Sequence, residues 1–199
     1  MIKLNSLLSD IPLPIRLFLG KALLFFVIWK ALYMGFFMES KTLDHPLTTH
    51  VGNASVYVLN NWSPMSDFRA VREAKNTIYE GEKSNEIASL IYHNDKRVLY
   101  IADLCNGLEL IVLYIGFIVC MPSSFWRKTK YIIIGAILLD AVNIGRCVGL
   151  IYLREYYQYY FDIAHKYIFS VTVYSVTFLF WAVYTRKISL KIENETVQV

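Results

Sequence analysis

The sequence predicts an all-α integral membrane protein with four transmembrane helices and both termini on the cytoplasmic side. Three observations predict it. Apolar runs at residues 17–38, 101–121, 131–153 and 163–184 each approach or exceed the roughly 20 residues that cross a bilayer. The chain of 199 residues is 56% hydrophobic, too apolar for a soluble domain of this size. The basic residues gather at alternate ends of the runs, as the positive-inside rule expects of a multi-pass chain. Residues 1–199 therefore read as a single membrane domain.

The first run carries Lys30 in its middle and has no small-residue cleavage site, so it reads as a span and not as a removable signal. Lys3, Arg16 and Lys21 lie before or at its start. Arg127, Lys128 and Lys130 separate the second run from the third, and Arg186, Lys187 and Lys191 follow the fourth. With four spans these three groups share one side, which the charge rule places in the cytoplasm. The other side holds a loop over about 39–100 and a short connection at 154–162, where Tyr156, Tyr157, Tyr159, Tyr160 and Phe161 suit an interfacial aromatic belt. Within the long loop, Val51, Ala54, Val58 and Leu59 recur at helical spacing over 46–62. This predicts a short amphipathic helix on the membrane surface. Apolar stretches at 87–92 and 98–101 flank a polar turn at 93–97 and predict a β-hairpin.

The excess of 20 Lys and Arg over 16 Asp and Glu is small and sits at span ends, which argues against nucleic-acid binding. Cys105, Cys120 and Cys147 lie in or beside apolar runs without a CxxC pair, and the four histidines are scattered, so neither a disulfide framework nor a metal site is expected. Polar groups inside spans are costly and rare. Here they are Lys30, Asn106, Glu109, Asp140, Asn143, Arg146 and His165. At ~1.5 Å per residue, Cys105, Arg146 and His165 reach one layer in the outer third of the bilayer, from three different helices. A thiol there becomes nucleophilic if an imidazole takes its proton or positive charge favours its thiolate. Arg146 can stabilise a thiolate or an oxyanion, and Asp162, three residues before His165, can orient the ring. The blander alternative is that Cys105 is a small hydrophobe, His165 an interfacial residue, and Arg146 a structural partner of Glu109 or Asp140.

Asp103-Leu104-Cys105-Asn106-Gly107-Leu108 resembles the cysteine motif of the exosortase/archaeosortase family. Asn143-Ile144-Gly145-Arg146 is similar to its arginine motif, and Asp162-Ile163-Ala164-His165 to its histidine motif. The resemblance implies a membrane-embedded cysteine peptidase or transpeptidase in a prokaryotic cytoplasmic membrane, its site facing outside. Cys105 would be the nucleophile, His165 the proton carrier and Arg146 the charge stabiliser, with Asn143, Asp162 and Glu109 in support. Substrates would be exported proteins ending in a recognition motif, a hydrophobic helix and a basic tail, handled beside membrane lipid and without a cofactor or metal. The family usually has more spans than four, and a small hydroxylated residue where Asn106 stands. The rival readings are a non-catalytic membrane scaffold and a small transporter subunit with Lys30, Glu109, Asp140 and Arg146 along a polar path.

Overall fold

The computed structural model describes residues 13–64, 66–79 and 82–196. Lys3, one of the basic flanking residues, lies outside them. Helix α1 (Leu13–Leu32) runs on through a π turn (Tyr33–Phe37) to Ser40. Helix α2 (Asp44–Trp62) follows, then strands β1 (Phe68–Tyr79), β2 (Glu82–His93) and β3 (Lys96–Ile101). A 3-10 turn (Asp103–Cys105) leads into α3 (Leu108–Cys120) and α4 (Phe125–Tyr156). Helix α5 (Gln158–Ile163), a second π turn (Ala164–Ile168) and α6 (Phe169–Thr196) complete the chain.

Three helical segments are long and apolar enough to cross a membrane: Ile15–Ser40, Phe125–Tyr156 and Gln158–Arg186. The expected second span, 101–121, is not a full-length helix. Its first residue belongs to β3, and Gly107 at φ 86° stops any helix before Leu108. What remains is α3, 13 residues or ~20 Å, against a hydrocarbon core of roughly 30 Å. Four full spans are thus corrected to three long helices and one short one.

In lipid, helices gain little from hydrophobic burial, so close packing around small residues holds them together. The Phe25 ring fills the space beside Gly116, Tyr114 that beside Gly135, and Phe169 that beside Gly149; a Cβ at any of these would meet the ring at 2.6 Å or less. Tyr114 also donates to the Tyr131 carbonyl at 2.9 Å. Phe18 meets Phe117, which stacks on Trp181, and Arg127 donates to the Tyr184 carbonyl. The start of α1, the α3–α4 link and the later part of α6 therefore share one end of the bundle.

The other end is capped by α2 and the sheet, and the all-α expectation gives way here. The strands lie in the order β1-β2-β3, antiparallel throughout, with Phe68 opposite His93 and Leu90 opposite Tyr100. Asn94 and Asp95, at φ 48° and 64°, make the tight turn between β2 and β3. Helix α2 is no surface-lying amphipathic helix. Its buried face is Asp44, Thr48, Val51, Gly52, Ser55 and Leu59, half of it polar, and it packs on α4, β1 and β2. Val51, Leu59, Phe68, Ile91, Ile101, Cys147 and Ile151 form the core of this cap. Each such side chain contributes about 1.5–3 kcal/mol where water is the alternative.

Candidate active site

Extended Ala102 delivers the chain from β3 into the 3-10 turn that carries Cys105. That turn is held from both sides. Before the thiol, the Asp103 carboxylate accepts from Thr48 Oγ1 at 2.8 Å and from Lys41 Nζ at 3.0 Å, with Arg72 at 3.6 Å. Burial pushes the Asp103 pKa up, but these hydrogen bonds and cations outweigh it and hold the carboxyl below its usual range. After the thiol, buried Asn106 donates to Asp44 at 2.9 Å, and its side-chain oxygen accepts from the Leu108 N–H at 2.8 Å. Asp44 in turn accepts from Tyr33 in the first π turn at 2.7 Å. Both ends of the Cys105 turn are thereby tied to α2 and α1.

Helix α4 grips the same residue. Asn143, buried, donates to the Cys105 carbonyl at 3.3 Å. One turn on, Arg146 Nη2 lies 3.9 Å from Cys105 Sγ. Arg146 Nε is buried and has no protein partner among the described residues. The approach of α4 requires a glycine at 107, since a Cβ there would come within 3.0 Å of Asn143 Nδ2. Cys147 points elsewhere, buried in the cap core.

His165 lies in the second π turn, a helix irregularity frequent at functional sites. Its ring is parallel to Phe161 at 5.8 Å, and the Arg154 guanidinium covers that phenylalanine at 5.1 Å. Cys105 and His165 line one cavity of about 520 Å³ with Arg97, Leu99, Arg154 and Phe161. Arg146 and Asn143 line an adjoining cavity of about 190 Å³, and Leu104 borders both. Cys105 thus has the histidine's cavity on one side and the arginine on the other.

This geometry is joined by a match along the chain: residues 12–184 fit the family model described as transmembrane exosortase (Exosortase_EpsH). The chain belongs to the transmembrane exosortase family. No curated protein and no solved structure matches it.

The other expected site residues of this exosortase-family chain lie further out. Glu109 borders the smaller cavity but is bonded to Lys30 at 3.2 Å. Asp162 is exposed on α5 and makes no hydrogen bond to the His165 ring among the described residues. Asp140 pairs with His50 of α2 at 2.9 Å, so neither carboxylate named as an alternative structural partner of Arg146 is ion-paired with it among the described residues. Sequence reading missed the anchors Lys41, Asp44, Thr48 and Arg72. They stand 31 to 62 residues from their partners Asp103 and Asn106, in a stretch with no motif. A lysine beside Asp44 and Thr48, both on the buried face of α2, was the one available signal.

Proposed function

We propose that this exosortase-family chain is a membrane-embedded cysteine peptidase or transpeptidase. One observation carries the reading: a guanidinium 3.9 Å from a thiol that opens into the same cavity as an imidazole. An arginine inside a membrane helix costs about 2.5–3.5 kcal/mol on insertion scales. Among the described residues Arg146 forms no ion pair with a carboxylate to offset that cost. A charge retained without a structural partner and aimed at sulfur fits a chemical task.

In this reading His165 takes the proton of Cys105, and the thiolate attacks the carbonyl carbon of the scissile peptide. Arg146, which stays protonated, stabilises the thiolate and then the oxyanion. The C–N bond breaks, and His165 returns its proton to the leaving amine. A thioester remains on Cys105. An acceptor amine, hydroxyl or water loses a proton to His165 and displaces the sulfur, which recovers that proton. Substrates are exported proteins with a C-terminal motif, a hydrophobic helix and a basic tail. The short α3 makes the fourth pass, with both termini in the cytoplasm and Cys105 outside.

The test replaces Cys105, Cys120 and Cys147 singly by Ala and follows cleavage of a tailed substrate. Cys105→Ala abolishes cleavage, and the other two retain it. Cleavage by Cys105→Ala would end the proposal. A membrane-impermeant maleimide applied to intact cells labels Cys105; labelling only after lysis would reverse the orientation.

A further inference from the structure

Lys30 of α1 and Glu109 of α3 pair at 3.2 Å, yet both stay exposed on the flank of the bundle. Neither has a second ion-pair partner among the described residues. An ammonium carries three donors and a carboxylate about four acceptor sites, so one bond between them leaves most of both unmet. Water would meet the remainder, but hydrocarbon does not. A cavity of about 230 Å³ lies at this pair, walled by Phe26 and Trp29 of α1, Leu113 of α3 and Tyr174 of α6. The Trp29 ring is braced by Tyr33 at 5.9 Å and Phe37 at 6.4 Å, so that wall is built before anything occupies the cavity. The segment Ile15–Ser40 has 26 residues, ~39 Å, which exceeds the roughly 30 Å hydrocarbon core. Lys30, ~15 Å from Ser40, therefore stands in the half of the bilayer nearer the cap, and its stem can reach toward the headgroups.

We propose that this cleft between α1, α3 and α6 binds one phospholipid with a primary-ammonium headgroup, of the phosphatidylethanolamine class. The lipid phosphate accepts from Lys30 and the lipid ammonium donates to Glu109, so four charges alternate in sign around the site. Away from water each of these contacts is stronger than it would be on a soluble surface. The acyl chains run from the cleft along exposed Leu23 and Val27 of α1 and exposed Phe178 of α6, one turn beyond Tyr174. Lys30 alone would suit any lipid phosphate. Glu109 beside it makes the choice. A lipid of net negative charge brings the carboxylate no cation, and a quaternary ammonium brings it no N–H. Glu109, Leu110 and Tyr174 also line the small cavity of Arg146, so the lipid would sit beside the thiol's surroundings without entering the cavity shared by Cys105 and His165. The site concerns lipid binding alone and does not depend on the peptidase reading.

The experiment titrates the full-length protein in detergent with phosphatidylethanolamine, phosphatidylcholine and phosphatidylglycerol of identical acyl chains, and counts retained lipid by native mass spectrometry. One phosphatidylethanolamine is retained roughly tenfold more tightly than either of the others. Lys30→Met combined with Glu109→Gln removes that preference, and Lys30→Arg keeps it. Glycerophosphoethanolamine, the headgroup without chains, does not compete at the same concentration. A phosphatidylethanolamine with a diazirine in one acyl chain, photolysed on the unaltered protein, labels the peptides that contain Val27 or Phe178, a readout that needs no variant to fold. Equal retention of the three lipids is the mark of ordinary annular lipid and would overturn the proposal. So would a preference for phosphatidylcholine or phosphatidylglycerol, no retention at all, a preference that survives the double variant, competition by the free headgroup, or labelling confined to other peptides.

Discussion

Arg146 brings a permanent charge to a sulfur from within an apolar helix, and the planar fork of its donors decides how well it can be replaced. Arg146→Lys keeps the charge and loses the fork, so cleavage should fall about 100- to 1000-fold with near-normal abundance in the membrane. Near-normal cleavage by that variant would reduce Arg146 to a neutralising role. Gly107 is the backbone counterpart. Its φ of 86° strains any other residue, and a Cβ there would press on the Asn143 amide at 3.0 Å. Gly107→Ala should lower stability by about 1–2 kcal/mol, read as a reduced unfolding temperature in detergent. At this scale much was legible. Cys105, Asn143 and Arg146 stand in short motifs, and the structure brings all three together, although Cys105 lies on a 3-10 turn and not on the helix whose rise was used to place it. The partners of Asp103 and Asn106 were not, because hydrogen bonds across 55 to 62 residues leave no local pattern.

Of the three long helical segments, the one containing α1 shows the least burial against the rest, and Lys30–Glu109 is its polar tie to α3. The pair is half-exposed to exposed, at 51% and 71%, on a surface that faces lipid if the bundle is inserted. Either charge alone would be stranded there. Lys30→Met and Glu109→Gln should each reduce membrane abundance, and the double variant should recover most of it; additive losses would show that the two do not act as a pair. The α2–turn junction carries a pH dependence. The Asp103 carboxyl is held below its usual pKa, so its contribution is complete above the unfolded value near 4 and is lost as pH falls through the folded value. Thermal unfolding in detergent should show the protein weakening below about pH 4, with the Asp103→Asn variant less stable at neutral pH but flatter through the acid range. Equal acid slopes would assign the effect to other carboxylates. The sheet was partly hidden in the sequence. β2 and β3 carry apolar stretches on either side of an Asn-Asp turn, whereas β1 is rich in charge and is defined by pairing with β2, a contact no short window contains.

For the whole molecule, the long spans were legible because apolar length is a direct physical requirement of the bilayer. The short one was not, since hydropathy over 101–121 counts the end of a strand and a turn as though they were helix. That shortness has a consequence for the surrounding lipid. A 13-residue helix falls ~10 Å short of the hydrocarbon thickness that its long neighbours span. Where α3 makes the fourth pass, acyl chains beside it compress or tilt to avoid exposing the turn at Asp103–Cys105, and each ångström of that deformation costs a fraction of a kcal/mol. If the proposed peptidase reading holds and α3 makes the fourth pass, the membrane itself belongs to the catalytic apparatus: a pinched leaflet lets headgroups and water down to the thiol, and a thick one closes over it. Turnover in vesicles of single phosphatidylcholines should rise as the acyl chains shorten. Equal turnover in thin and thick bilayers would mean that α3 sits clear of the lipid, shielded by α1, α4 and α6.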